Sequence, residues 1–226
     1  MAIIHRTTLS PTKLELVAPW LTTRPWYRGA GAAPVLSRSG GFRLDDPRGE
    51  VGLEFMVVTD ESGERPVSYH VPLTYRGAPL DGAEDALVGT TEHGVLGRRW
   101  VYDGVHDPVL GTELLALLQG RAEPQAQSLT DTPDPTVAVR FDGAEVVTGP
   151  LATTVADDAD GTRMTMAVGT DAGDARLTVQ VSRVLRPGAP PPGAATGQVT
   201  AGWRHTDGEE IRAVFASLHV TASTGG

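Results

Sequence analysis

Two alternating runs on either side of one polar turn constrain this chain most. Val51, Leu53, Phe55 and Val57 alternate with Gly52, Glu54 and Met56. Val67, Tyr69, Val71, Leu73 and Tyr75 then alternate with Ser68, His70, Pro72 and Thr74. Between them, Asp60-Glu61-Ser62-Gly63-Glu64 supplies turn chemistry. Side chains of a strand point to opposite faces in turn, so the pattern predicts a β-hairpin with one buried face. Pro72 cannot donate to a ladder, which makes its strand an edge or leaves the N–H side free there.

The same period returns after residue 136. Thr136 to Phe141 alternates and meets Asp142-Gly143, which predicts a tight hairpin with Val146-Val147. Met164, Met166 and Val168 mark one further strand, and Leu177, Val179 and Val181 another. Val199, Ala201 and Trp203 precede the turn Thr206-Asp207-Gly208 and a last strand, Ile211 to Val220. One helix is predicted. Asp107 can accept from first-turn N–H groups, Pro108 suits the first helical position, and Gly120 supplies the stop. Leu110, Leu114, Leu117 and Leu118 form its apolar stripe. The polar stretch 122–135 separates two halves, 1–122 and 136–221, and Pro187 to Gly193 forms a long loop in the second. The expected class is α+β, predominantly antiparallel β.

Composition narrows the chemistry. Cysteine is absent, so thiol catalysis, disulfides and cysteine zinc sites are excluded. Lys13 is the only lysine and follows no glycine-rich turn, so a P-loop is excluded and Schiff-base chemistry nearly so. The net charge of −9 argues against nucleic acid and anionic membranes as partners. No apolar run reaches the roughly 20 residues of a membrane span. The first residues lack the apolar stretch of a secretory signal, so a cytoplasmic protein is expected.

Polar side chains offer few constellations. The histidines are His5, His70, His93, His106, His205 and His219, with no pair at the spacing of a zinc helix, so no metal is expected. No serine sits in a Gly-x-Ser-x-Gly elbow. The acidic runs at 45–46 and 157–160 read as solvated turns rather than calcium loops. Paired carboxylates acting across space stay open. The densest polar cluster contains Glu92, His93, Arg98, Arg99, Tyr102, Asp103, His106 and Asp107. Within it an Asp–His pair could orient a general base, whereas a polar loop and a helix cap explain the same residues without catalysis. Trp26, Tyr27 and Arg28 put aromatic and cationic groups together. That suits a sugar or protein partner, or an anchor in which Trp20 and Trp26 fasten the segment to the sheet.

A family resemblance adds to this reading. Leu16-Val17-Ala18-Pro19-Trp20-Leu21 followed by Arg24-Pro25-Trp26-Tyr27-Arg28-Gly29 resembles the opening of the maltokinase N-terminal cap. Tyr69 to Tyr75, Ala78-Pro79, Ala86 to Gly89, Trp100 to Gly104 and Asp107 to Leu118 continue it in order. The resemblance implies a cap-like curved antiparallel sheet with flanking helix over residues 1–122. It implies, more weakly, a degenerate kinase N-lobe over 136–221. Leu177 to Leu185 is similar to the lobe's central strand, and Gln180 stands where the family carries a phosphate-binding lysine. No residues matching the catalytic lobe follow. The expectation is a non-catalytic protein of bacterial maltose, trehalose and α-glucan metabolism, pseudokinase-like and without cofactor. Its partner would be a glucan-metabolising enzyme or a malto-oligosaccharide. The candidate partner surface is Trp26, Tyr27, Arg28, Glu92, His93, Tyr102, Asp103 and His106. The alternatives are an α-glucan enzyme using carboxylates and a structural subunit that supplies a cap in trans.

Overall fold

The computed structural model describes residues 8–29, 31, 33–127, 131–143, 153–159, 161–170, 173–189, 193–204 and 208–222. The first half carries β1 (Leu9–Ser10), α1 (Lys13–Leu21), β2 (Leu36–Leu44), β3 (Gly52–Asp60), β4 (Val67–Arg76), β5 (Leu87–His93), β6 (Gly97–Asp103) and α2 (Pro108–Leu118). The stretch between the halves carries β7 (Gln125–Ala126), and the second half carries β8 (Ala138–Phe141), β9 (Thr153–Asp157), β10 (Gly161–Thr170), β11 (Gly173–Ser182), β12 (Gly197–Arg204) and β13 (Glu210–Ala222). All the strand pairings are antiparallel. The strands run β1-β5-β6-β4-β3-β2-β12-β13-β11-β10-β9, with β7 beside β2 and β8 beside β12. Among the described residues no helix is long and apolar enough to cross a membrane.

The β3–β4 hairpin forms in the expected register, Gly52 opposite Tyr75 and Asp60 opposite Val67. Its burial corrects the expectation of one covered face, because both faces are buried. Leu53, Phe55 and Val57 enter a core shared with α2 and with Met164, Leu177, Val179, Trp203 and Phe215 of the second half. Met56, Val58, Tyr69, Val71 and Leu73 enter another with Val17, Trp20, Leu21 and Trp26. The second cover is α1, a helix that the apolar pattern alone does not announce. Thr12 and Glu15 form its capping box. The Glu15 N–H donates to Thr12 Oγ1 and the Thr12 N–H to Glu15 Oε2. Pro19 lies within the nine residues, which obscures the helical signal. Each large side chain buried this way is worth about 1.5–3 kcal/mol relative to exposure, so a missing cover is costly.

Pro72 fits the second of its two expectations, a free N–H side, rather than the first, an edge strand. β4 is an interior strand, flanked by β3 and β6. The β6 ladder begins only at Leu73, opposite Asp103. Below it, His70 donates its N–H to Arg183 O at 2.9 Å. Two residues on, the Pro72 nitrogen faces the same way, into the gap between these two partial neighbours. A missing donor costs nothing there.

The α2 signals hold. Asp107 accepts from the Val109 N–H at 2.9 Å, Pro108 opens the helix, and Gly120 ends it at φ +69°. Leu110, Leu114, Leu117 and Leu118 are buried, and so is Leu115. β8 takes β12 as its described partner, with Val139 opposite Val199. The return run expected at Val146-Val147 lies outside the described residues, as do His5, His205 and Asp160.

β2 and β12 meet where Gly40 faces Trp203. A Cβ on Gly40 would lie 2.8 Å from Trp203 Cβ, so only glycine lets the two strands approach. Trp203 Nε1 then donates to Ser68 Oγ at 3.1 Å, and Leu185 N–H to Ser68 O at 2.9 Å. The halves are therefore joined by backbone, side-chain and core contacts at once.

Candidate functional site at the seam between the halves

The chemistry at this seam centres on Arg183. It follows β11 directly, and its side chain is fully buried. Its Nη2 donates to Asp103 Oδ1 and Oδ2, each at 2.7 Å, and its Nε donates to Thr162 Oγ1 at 2.7 Å. The guanidinium carbon lies 5.1 Å from the centroid of the buried Trp26 ring. Asp103 ends β6 in the first half, and Thr162 is the second residue of β10 in the second. One cation therefore ties both halves together in a fully buried site, where a charge is tolerated only when paired.

Residues that follow Asp103 and Thr162 in the chain line a cleft of about 440 Å³. One wall is Val105, His106, Asp107, Pro108 and Gly111, which follow Asp103 in the chain. The other is Thr153 and Val155 of β9 with Met164 of β10, two residues beyond Thr162. Gly82 and Ala83 close one side. A volume of this size lies within the range of ligand pockets. Its lining mixes apolar side chains with the polar groups of His106, Asp107 and Thr153. Asp107 is its one carboxylate among the described residues, and that carboxylate is engaged: Arg76 Nε and Nη2 donate to its two oxygens at 2.6 and 2.7 Å.

A second polar group is buried beside β3. Glu54 accepts from Lys13 Nζ at 2.5 Å, Tyr75 Oη at 2.5 Å and Gln127 Nε2 at 3.3 Å, with Arg38 Nη2 at 3.7 Å. Burial pushes its carboxyl up, but Lys13, Tyr75 and Arg38 outweigh burial and hold it below the ordinary range. Burial and the Glu54 carboxylate push the Tyr75 hydroxyl well up. The only lysine thus has a structural partner.

His70 is the third. Its ring lies 4.5 Å from Phe215, and its Nδ1 lies 3.1 Å from Ser182 O. Burial, and then the nearby Arg183 charge, lower its pKa to about 3. The ring is neutral at physiological pH.

The eight residues singled out by sequence are spread over several places. Trp26 is fully buried, packed against Trp20 and Tyr69 at 5.8 and 6.0 Å between centroids. Trp20 and Trp26 therefore anchor their segment onto the sheet. Tyr27 donates to Asp60 Oδ2 at 2.8 Å, and burial and Asp60 push its hydroxyl up to about 12. Arg28 is exposed, and its backbone N–H donates to Tyr69 Oη at 2.9 Å. Glu92 is exposed, 3.4 Å from Arg98 Nε. His93 Nδ1 accepts from the N–H groups of Val95 and Leu96. Tyr102 is buried and accepts from the Leu80 N–H at 2.8 Å. Asp103 serves Arg183, and Asp107 caps α2 and serves Arg76, so both carboxylates are directed at arginines rather than at a histidine. His106 is exposed and lines the cleft.

Arg183, Glu54 and Arg76 carry the seam and core chemistry that sequence reasoning did not single out. Their signal is a charged residue inside an apolar run: Arg183 between Val181 and Val184, and Glu54 between Leu53 and Phe55. Gln180 donates through Nε2 to Asp158 Oδ2 at 3.3 Å and stands opposite Arg163 and Ser217 in its strand pairs.

Residues 20–107 match the family model described as the maltokinase N-terminal cap domain. The match contains all eight of those positions together with Glu54, His70, Arg76 and Asp107. Arg183, Gln180 and the β9–β10 wall of the cleft lie outside it. Residues 20–107 of this chain are thus similar to the maltokinase N-terminal cap domain.

Proposed function

We propose that this chain is a non-catalytic binding protein of bacterial maltose, trehalose and α-glucan metabolism, acting in the cytoplasm. It presents a cap-like domain rigidly joined to a β-rich second half. The buried Arg183–Asp103 pair is the observation that carries the reading. The second half spends its buried cation on holding the cap-like domain, leaving that charge without access to a phosphate. Gln180, at the position that resembles the phosphate-binding lysine of the kinase lobe, offers an amide to Asp158 instead. The seam cleft is the surface this reading assigns to binding. Its lining mixes apolar and polar groups, and its one carboxylate among the described residues is already engaged by Arg76, which suits an uncharged partner.

Titration calorimetry with maltose, maltotetraose and ATP, alongside a pull-down of α-glucan enzymes, tests this. Saturable binding of a sugar or an enzyme partner without turnover supports it. Maltose-dependent ATP consumption overturns it.

A further inference from the structure

The hairpin joining β5 and β6 has an unusual tip. Val95 and Leu96 stand 61% and 46% exposed, side by side in solvent. The backbone beneath them is fixed. His93 Nδ1 accepts from the Val95 N–H at 3.3 Å and the Leu96 N–H at 3.1 Å, and Arg99 Nη2 donates to Leu96 O at 2.8 Å. Two apolar side chains held in place before any partner arrives lose little freedom on docking. The tip is flanked by Arg98 and Arg99, an adjacent pair of cations in a chain of net charge −9. Arg98 is well exposed and has Glu92 alongside.

The chain also holds the complementary shape. The seam cleft carries apolar patches from Ala83, Val105, Pro108, Val155 and Met164 beside the polar His106, Asp107 and Thr153, and its volume of about 440 Å³ has room for a valine and a leucine side chain. Exposed Asp81, Glu84 and Asp85 adjoin its Gly82–Ala83 side. An apolar knob with a basic flank thus meets a cleft with apolar patches and an acidic flank, a match in size and sign.

We propose that the cleft takes the Val95–Leu96 tip of a second copy of this chain, in a head-to-tail contact. The proposal rests on the reading of the cleft as a binding surface and names its occupant. A contact between two different patches leaves one knob and one cleft free at the ends, so the association extends beyond a dimer unless it closes into a ring.

Sedimentation velocity over a dilution series from micromolar to several hundred micromolar tests it. The wild-type chain is expected to associate as concentration rises. Leu96→Asp alters an exposed position, so the fold and Tm stay as they are while association weakens at least tenfold. Glu84→Lys with Asp85→Lys weakens it from the cleft side. The decisive experiment mixes the two variants. Each keeps the patch the other has lost, so together they form a dimer that neither forms alone. A wild-type chain that stays monomeric throughout overturns the proposal, and so does a mixture that remains monomeric. Neither result bears on phosphotransfer or sugar binding, so the functional reading stands or falls separately.

Discussion

Arg183 Nη2 lies 2.7 Å from both carboxylate oxygens of Asp103, and neither side chain is more than 2% exposed. The two residues lie 80 positions apart, one in each half of the chain. A pair so deeply buried contributes less through attraction than through the penalty of losing one member.

Arg183→Met should therefore destabilise the protein by about 3–5 kcal/mol, since Asp103 is left charged and unpaired. The double variant Arg183→Met with Asp103→Leu should recover most of that loss. Urea denaturation of both singles and the double measures the coupling. A double variant as unstable as the sum of the singles would show that the two side chains do not act as a pair.

His70 should impose a pH dependence on stability. Its folded pKa of about 3 lies below the ordinary 6.5, so between those values the unfolded chain binds the proton and the folded one does not. Stability then falls as pH drops below about 6.5, by about 1.4 kcal/mol per pH unit from this one group. His70→Asn keeps a donor near the Nδ1 position and removes the titration. Its stability curve between pH 6.5 and 5 should be flatter than the wild-type curve; an unchanged slope would assign the dependence elsewhere.

Lys13→Met should cost about 1–3 kcal/mol at pH 7, discounted from a fully buried pair because the lysine is 29% exposed. The depressed Glu54 pKa gives the sign of the pH effect. Its contribution is present above the ordinary value of 4.5 and is lost as pH falls through the lowered folded value. The gap between wild type and variant should therefore narrow in acid. A gap that widens below pH 4 would contradict the assignment.

Asp107→Ala removes a helix cap and strands Arg76 at once. A loss of about 2–4 kcal/mol is expected, above the roughly 1 kcal/mol of a cap alone. Hydrogen exchange at the start of α2 should rise most. A loss confined to cap size would mean that the Arg76 contact contributes nothing.

Much of the fold was legible in the sequence because period two and turn chemistry are local. The β3–β4 hairpin, α2 with its Asp107-Pro108 start, and the strands at 164–168, 177–181 and 199–203 all follow from adjacent residues. The second cover of β3–β4 was not, because Pro19 masks the capping box of α1. The order of the site was less legible still. Trp26, Tyr102 and Asp103 stand out in the sequence as chemistry, yet their partners are Tyr69, Leu80 and Arg183, which only the long-range sheet brings near. Arg183 and Glu54 look like strand residues of the wrong polarity until the opposite half is in place. The lone lysine could be read from composition as a limit on phosphate chemistry, but its role against Glu54 is visible only once α1 lies on β3.

Phosphotransfer tests the functional reading most directly. The purified chain is incubated with ATP, magnesium and maltose, and both ADP release and maltose phosphate are followed against a control without protein. No phosphorylated sugar and no maltose-dependent ADP release above that control are expected. Catalytic formation of maltose phosphate over repeated turnovers would contradict it.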